Sequence, residues 1–181
     1  MRLLPIALAA DARSDSVEIL NQVLADSLIL YSLYKEHHWL VRGHTFFQLH
    51  ELLDRHAGEQ LELVDLLAER VQTLGGVVVA DPRHVAEMAT VPRPPDGAEG
   101  VPAMLSRLLE AHELVIAETR RGISPSAASG DAGTNDLLTS DVLRRHELQV
   151  WFLAEHLVDT PEVPVNASPP EVRPDRIVAV P

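Results

Sequence analysis

The stretch "KEHHWLVRGHTFFQLHELLDRHAGEQLELVDLLAERVQTLGG", Lys35 to Gly76, decides the fold. Its apolar residues recur at spacings of three and four, the period of an amphipathic helix. Gly43 interrupts the pattern and Gly75-Gly76 ends it, so the stretch reads as the close of one helix and the whole of the next. Its polar residues are out of place for such a reading. His38, His50, Asp54, Asp65 and Glu69 fall among the leucines rather than on the charged side.

Working outward, a first helix is expected from Ser16 to Arg42, with Val17, Leu20, Leu24, Leu28, Tyr31 and Tyr34 as its buried stripe. The second runs from Thr45 to Leu74 with Phe46, Leu49, Leu53, Leu61, Val64, Leu67 and Val71 inward. At ~1.5 Å per residue it is about 45 Å long, a length normal for a bundle. The connection that follows is longer than a tight helix–helix turn. Within it "DPRHVAEMA" offers Asp81 as N-cap and Pro82 at the first helical position, so a short helix is expected there, followed by the loop "TVPRPPDGAEG". A third long helix starts near Pro102 and carries Met104, Leu105, Leu108, Leu109, Val115 and Ile116 up to Gly122. "ISPSAASGDAG" leads to a fourth, from Thr134 to Val158, with Leu137, Leu138, Val142, Leu143, Trp151, Leu153 and Leu157. The fold expected is an all-α bundle of four long helices, up-up-down-down or crossover, with a short helix in the second connection. Residues 15–160 make this domain, flanked by a tail over 1–14 and a proline-rich, extended tail over 161–181.

Composition narrows the chemistry. A chain of 181 residues with 46% hydrophobic residues supports one domain and one core. No apolar run approaches the ~20 residues of a membrane span. The apolar run in the opening "MRLLPIALAADARSD" is at the short end for the h-region of a signal peptide, so the stretch reads as a tail, which favours a cytoplasmic protein over an exported one. There is no cysteine, so disulfides, thiolate zinc sites and cysteine nucleophiles are excluded, and a metal site would fall to His, Asp and Glu. The net charge of −12 and a single lysine, Lys35, argue against a protein that binds nucleic acid through its overall field. An acidic body attracts cations, and it equally keeps a soluble protein apart from its copies.

The misplaced residues have a common geometry. His50 and Asp54 are four apart, as are Asp65 and Glu69, so each pair points one way from the second helix. Asp54 and Asp65 are eleven residues apart, which returns within ~20° of the same face but ~16 Å along the axis. No single ion spans that gap. The two pairs are, however, placed symmetrically about residues 59 and 60. A second copy packed antiparallel across a two-fold axis there would bring Asp54 to the partner's Asp65 and His50 to the partner's Glu69, giving two identical sites per dimer. His38, beside the turn at Gly43, is placed to complete each. Imidazole and carboxylate without sulfur suit Fe(II), Zn(II) or Mn(II) better than calcium. The intrasubunit di-iron arrangement uses Glu-x-x-His on two helices. No glutamate of this chain is followed three residues later by histidine, so that arrangement is set aside.

With these residues, "HHWLVRGHTFFQLHELLD…VDLLAERVQTLGG" resembles the signature of the Dps family, the mini-ferritins that protect DNA in stressed bacteria. The resemblance covers about Ser14 to Thr160. It implies a ferritin-like four-helix bundle, a hollow dodecamer, and a ferroxidase centre shared across a two-fold interface. His38, His50 and Asp54 would come from one subunit and Asp65 and Glu69 from its mate. Iron would be the metal, oxidised by hydrogen peroxide or dioxygen and stored as mineral, with zinc a surrogate or inhibitor. Trp39 and Trp151 resemble tryptophans near that centre that act as sinks for oxidising equivalents, and they fit equally well as core aromatics. Asp131 and Asp136, at the start of the fourth helix, fit an acidic three-fold iron-entry pore or simple helix capping. His37, His44 and His56 are read as surface histidines with an accessory metal site as the alternative, and His146, Glu147 and His156 as facing solvent or a subunit contact. Two rival functions remain at this point. One is a DNA-coating structural Dps protein, which the tails speak against: the first fourteen residues hold only Arg2 and Arg13 against Asp11, and the last twenty-two Arg173 and Arg176 against Glu162, Glu171 and Asp175. The other is a non-catalytic helical bundle that binds zinc.

Overall fold

The computed structural model describes residues 4–158. Helices α1 (Ala10–Leu40), α2 (Phe46–Thr73) and α4 (Val101–Ala128) are long, α3 (Pro82–Met88) lies in the second connection, and α5 (Ala132–Asp136) continues through a π-helical segment, Leu137–Leu143, into α6 (Arg144–Glu155). The expected C-terminal tail lies outside the described residues, as do all the charged residues compared for that end. Among the described residues no helix is long and apolar enough to cross a membrane.

The stops follow backbone chemistry. Gly43 takes φ 107° between α1 and α2. At the end of α2, Gly75 adopts φ 80° while Gly75 N–H and Gly76 N–H donate to the carbonyls of Gln72 and Val71, a Schellman closure. α1 begins six residues before the expected Ser16, at Ala10. α4 runs past the expected stop at Gly122. That glycine is there for close approach: a Cβ would lie 2.4 Å from Ile19 Cγ2 of α1 and 3.0 Å from Leu138 Cδ1. The real stop is Gly130, φ 80°, with a second Schellman pair from Gly130 and Asp131 N–H to the carbonyls of Ala127 and Ser126.

The connectivity is the crossover form. Residues 34 and 38 of α1 meet 56 and 50 of α2, residues 19 and 34 meet 122 and 112 of α4, and 112 and 122 meet 146 and 138 of the last helix, so α1 and α6 run one way while α2 and α4 run the other. Parallel neighbours need a long link, and two buried polar side chains of α1 hold it down. Asn21 donates to the Val77 carbonyl and accepts from Val79 N–H. The fully buried Asp26 carboxylate accepts from the backbone N–H groups of Thr90 and Val91. The core joins Leu20, Leu24, Leu30, Leu53, Leu63, Leu67, Met104, Leu108, Val115, Leu138 and Leu153. In the π segment the pairs Leu137/Val142 and Leu138/Leu143 are five apart and all buried, the spacing a π turn presents to one side.

Several expected core positions face outward. Phe46, Leu61, Trp151 and Leu157 are exposed, and Leu63 occupies the inward position assigned to Leu61. Leu61 and Leu66 instead join the outward face of α2.

Candidate metal centre

The hairpin of α1 and α2 puts His38 against His50. Their rings stack at 3.7 Å between centroids, tilted by 21°, and Phe46 stacks on the far side of His50 at 5.0 Å. Each imidazole donates Nδ1–H to the other's backbone carbonyl, both at 2.9 Å. A carbonyl can only accept, so Nδ1 is the protonated nitrogen of each ring and Nε2 is the one left for a ligand. This is the second-shell arrangement that orients a metal-binding histidine, made reciprocal by two backbones.

Asp54 completes the group. His38 Nε2 lies 3.9 Å from Asp54 Oδ1, and the carboxylate is half-exposed. A residue that sequence reading left unassigned sits on it: Lys35 Nζ donates to Asp54 Oδ1 at 2.6 Å. The Lys35 hydrogen bond holds the Asp54 carboxyl below the usual carboxylate range, and the nearby His38 and His50 add to this. Its place three residues before His38 on the same helix is the one signal the sequence holds for Lys35; the turn of its side chain onto Asp54 is not written there.

Asp65 and Glu69 are exposed on the same outward side of α2, and among the described residues neither makes an ion pair. Asp65 borders a shallow depression with Gly58, Leu61, Glu62 and Val64. A Cβ at Gly58 would meet nothing within 4 Å, so bare backbone lies close to the midpoint of the two acidic pairs. One chain thus carries two separate groups of ligand-type side chains, and among the described residues no cluster of three or more such side chains that could hold a metal ion is present.

The other assignments divide. Trp39 is 70% exposed and Trp151 58% exposed, so the reading of either as a core aromatic is corrected. Lys35 Nζ sits 5.6 Å over the Trp39 ring, which links that indole to Asp54, while Trp151 Nε1 donates to Glu155. Asp131 is buried. It accepts from Thr134 N–H and Oγ1 and from Arg70 Nη2 at 2.5 Å, and despite the cost of burial these partners keep its carboxyl below the usual range. It is a helix cap and an ion-pair partner, not an open pore carboxylate. Asp136 is exposed, with Ser140 Oγ donating to it at 2.8 Å.

The expectation of surface histidines fails at three positions. His37, His56 and His146 are all buried, and only His44 and His156 of that group are exposed. His56 and His146 belong to a chain of side chains across the bundle centre. Tyr34 Oη lies 3.2 Å from His56 Nδ1 and 2.5 Å from His112 Nε2, and His112 Nδ1 lies 2.9 Å from His146 Nδ1. Each of the four comes from a different long helix and is at most 1% exposed. Burial pushes His56 down to about 4 and His146 to about 3, drives His112 well below its ordinary value, and raises the Tyr34 phenol well above its own. The signal for these was register. Leu49, Leu53, His56, Gln60, Leu63 and Leu67 alternate four and three apart, as do Leu105, Leu108, His112, Val115 and Thr119.

The helical frame is that of the ferritins, and the chain matches the ferritin family, described as a ferritin-like domain, over residues 17–163. Structurally it is similar to DpsC from Streptomyces coelicolor, at 65% identity, TM-score 0.88, covering 90% of this chain and 94% of that one. The DPS protein from Vibrio cholerae, described as a member of a broad superfamily of ferritin-like diiron-carboxylate proteins, is 25% identical with TM-score 0.81 over 87% of this chain and 98% of that one. A nutrient stress-induced DNA-binding protein from Synechococcus is 33% identical over 152 residues, 84% of this chain and 86% of that protein. The chain belongs to the Dps family of ferritin-like proteins.

Proposed function

We propose that this chain is a ferroxidase that sequesters iron. It would take up Fe(II), oxidise it with hydrogen peroxide or dioxygen at a site shared by two subunits, and hold the ferric product inside a hollow dodecamer in the cytoplasm. The observation that carries this reading is the reciprocal His38–His50 lock, which leaves Nε2 of each ring available for a ligand and sets His38 Nε2 3.9 Å from Asp54 Oδ1. A histidine pair held for packing alone has no need of that precision.

The chemistry follows from the donors. Two Fe(II) give two electrons to one peroxide, breaking the O–O bond and leaving two hydroxides and two Fe(III). Imidazole Nε2 atoms suit Fe(II), and the carboxylates of Asp54 and of the partner's Asp65 and Glu69 stabilise the rising charge. Lys35 must give up Asp54 as the cation binds, so it acts as a resident placeholder for the positive charge. The exposed apolar residues Leu61, between the two pairs, and Leu66, beside Asp65, together with the bare backbone at Gly58, suit this face to a second copy of α2. Asp136, as the exposed acid, is the remaining candidate for the iron entry. The Vibrio relative's description supports the iron chemistry, and the Synechococcus relative's name supports a link to DNA. Here that link is protection by removing Fe(II) and peroxide together, since the tails carry no basic cluster.

Stopped-flow absorbance of Fe(III) formation on the purified assembly tests the proposal. Peroxide should oxidise protein-bound Fe(II) rapidly, and dioxygen more slowly. Rates equal to the protein-free background with both oxidants, alongside tight zinc binding, would favour the zinc bundle instead.

A further inference from the structure

The chain through the bundle centre lies outside the ferroxidase ligands, and its make-up asks for a reason. A phenol and three imidazoles are costly to bury, and their mutual hydrogen bonds recover only part of that cost. The network also ends on His146 Nε2, a buried nitrogen with no hydrogen-bond partner among the described residues. Leucines at these positions would pack the same space.

The hydrogen-bond geometry fixes one property whichever way the protons are arranged. Tyr34 Oη carries one proton and lies between two imidazole nitrogens. Two accepting nitrogens would set a lone pair against Oη, and two donating ones would leave the buried phenol O–H without an acceptor, so in the satisfied arrangement one nitrogen donates to Oη and the other accepts from it. The phenol O–H therefore always points at an imidazole lone pair. The shorter contact, 2.5 Å against 3.2 Å, makes His112 Nε2 the acceptor. His112 Nδ1 in turn donates to His146 Nδ1 at 2.9 Å. A proton leaving Tyr34 thus has a base in contact and a second imidazole behind it to share the charge.

A buried phenol hydrogen-bonded to a neutral base loses an electron readily, provided its proton moves at the same time. Tyr34 lies on α1 four residues before His38, about 6 Å along the axis. Electrons cross that distance through packed protein. The two indoles do not offer the same setting, being largely exposed to solvent and without a base at the ring nitrogen other than the Glu155 carboxylate on Trp151.

We propose that Tyr34 is an internal one-electron donor to the iron–peroxide reaction, with His112 as the acceptor of its proton. The inference rests on the ferroxidase reading. It applies when a site holds a single Fe(II), which supplies only one of the two electrons that peroxide needs. Fe(II), hydrogen peroxide and the Tyr34–His112 pair then give Fe(III), two hydroxides, the Tyr34 phenoxyl radical and protonated His112. The O–O bond breaks, iron and tyrosine are each oxidised by one electron, and no hydroxyl radical leaves the site. A later Fe(II) restores the pair, giving Fe(III), the phenol and neutral His112.

The test is freeze-quench electron paramagnetic resonance on the assembled protein, loaded with one Fe(II) per site and mixed with peroxide, with Fe(III) absorbance followed in parallel. Only two tyrosines are present, Tyr31 and Tyr34, so assignment is direct. A tyrosyl signal should form with the Fe(III), survive in Tyr31→Phe and vanish in Tyr34→Phe. Ring-deuterated tyrosine incorporated into Tyr31→Phe should narrow the signal, which assigns it to Tyr34 with the core untouched, even if Tyr34→Phe folds poorly. His112→Gln should shorten the radical's lifetime. If Fe(III) forms without a tyrosyl signal, or the deuterated Tyr31→Phe protein shows only a tryptophanyl one, the inference is overturned and the ferroxidase reading stands. If no Fe(III) forms above background, the ferroxidase reading falls, and this inference with it.

Discussion

Two groups of histidines break the apolar pattern of this chain, and they do so in opposite ways. His38 and His50 lie at the mouth of the α1–α2 hairpin, partly exposed, each with its ring fixed by the other's backbone and one nitrogen left open. His56, His112 and His146 lie at the bundle centre, sealed and bonded to one another through Tyr34. The first group, in the function proposed, is half of a site that a second subunit completes. The second is nearly closed, and it works only through what its own members can exchange. Open nitrogens beside a carboxylate mark a binding surface, while buried nitrogens in series mark a path for protons.

The two groups should respond differently to mutation. Removing His50 and Asp54 together with alanine should slow Fe(II) oxidation by more than the ~10–100-fold typical of losing an outer-shell partner of a metal. Stability should move by only about 1 kcal/mol, since both side chains are partly exposed. At the centre the order reverses. His112→Ala leaves a cavity and strips partners from Tyr34 and His146, so it should cost about 2–5 kcal/mol in urea denaturation while the His38–His50 lock persists.

Acid should separate the groups again. The central histidines are held neutral by burial, with His146 at about 3 and His56 at about 4. Below the unfolded value of ~6.5 the unfolded chain binds protons that the folded chain does not, so stability falls as the pH is lowered. The loss is up to about 1.4 kcal/mol per pH unit for each such histidine, and it continues until the folded value is reached. Stability is fully present above pH ~6.5. His146→Gln should flatten this slope in urea titrations between about pH 6.5 and 4, and an unchanged slope would show that the centre is not what acid attacks.

The smallest contrast concerns the two acids before the π segment. Asp131→Asn removes a buried charge that serves Arg70 and Thr134 and should cost about 1–3 kcal/mol. Asp136→Asn should leave stability alone and slow iron uptake at low salt. That slowing should fade as ionic strength rises toward the ~8–10 Å screening length of physiological solutions.

The fold was legible because its stops and stripes are local. Gly43, Gly75 and the Asp81-Pro82 cap end or start helices through backbone chemistry that residue type alone announces. Gly122 misled because a glycine used for contact with Ile19 looks the same in sequence as a glycine used for a stop. The five ligand-type residues stand out in the sequence by their spacing, whereas the part Lys35 takes does not, since it depends on which way a flexible side chain turns. The central network was misread for another reason. His56 and His146 sit on register with leucines, against the general preference of histidine for the surface, and His112, on the same kind of register, drew no expectation. Where period and residue type disagree, period placed the residue correctly in this chain.

The central claim is that each oxidation site needs two subunits, and subunit mixing tests it most directly. One variant lacks His50 and Asp54, the other Asp65 and Glu69, and each assembly alone should be inactive. In a mixed dimer one site loses all four ligands and the other recovers all four. Co-refolding in equal amounts should therefore restore about a quarter of the wild-type Fe(II) oxidation sites by random pairing across the two-fold axis. Mixed dimers that form, as native mass spectrometry would show, and yet remain as inactive as their parents would contradict a shared site.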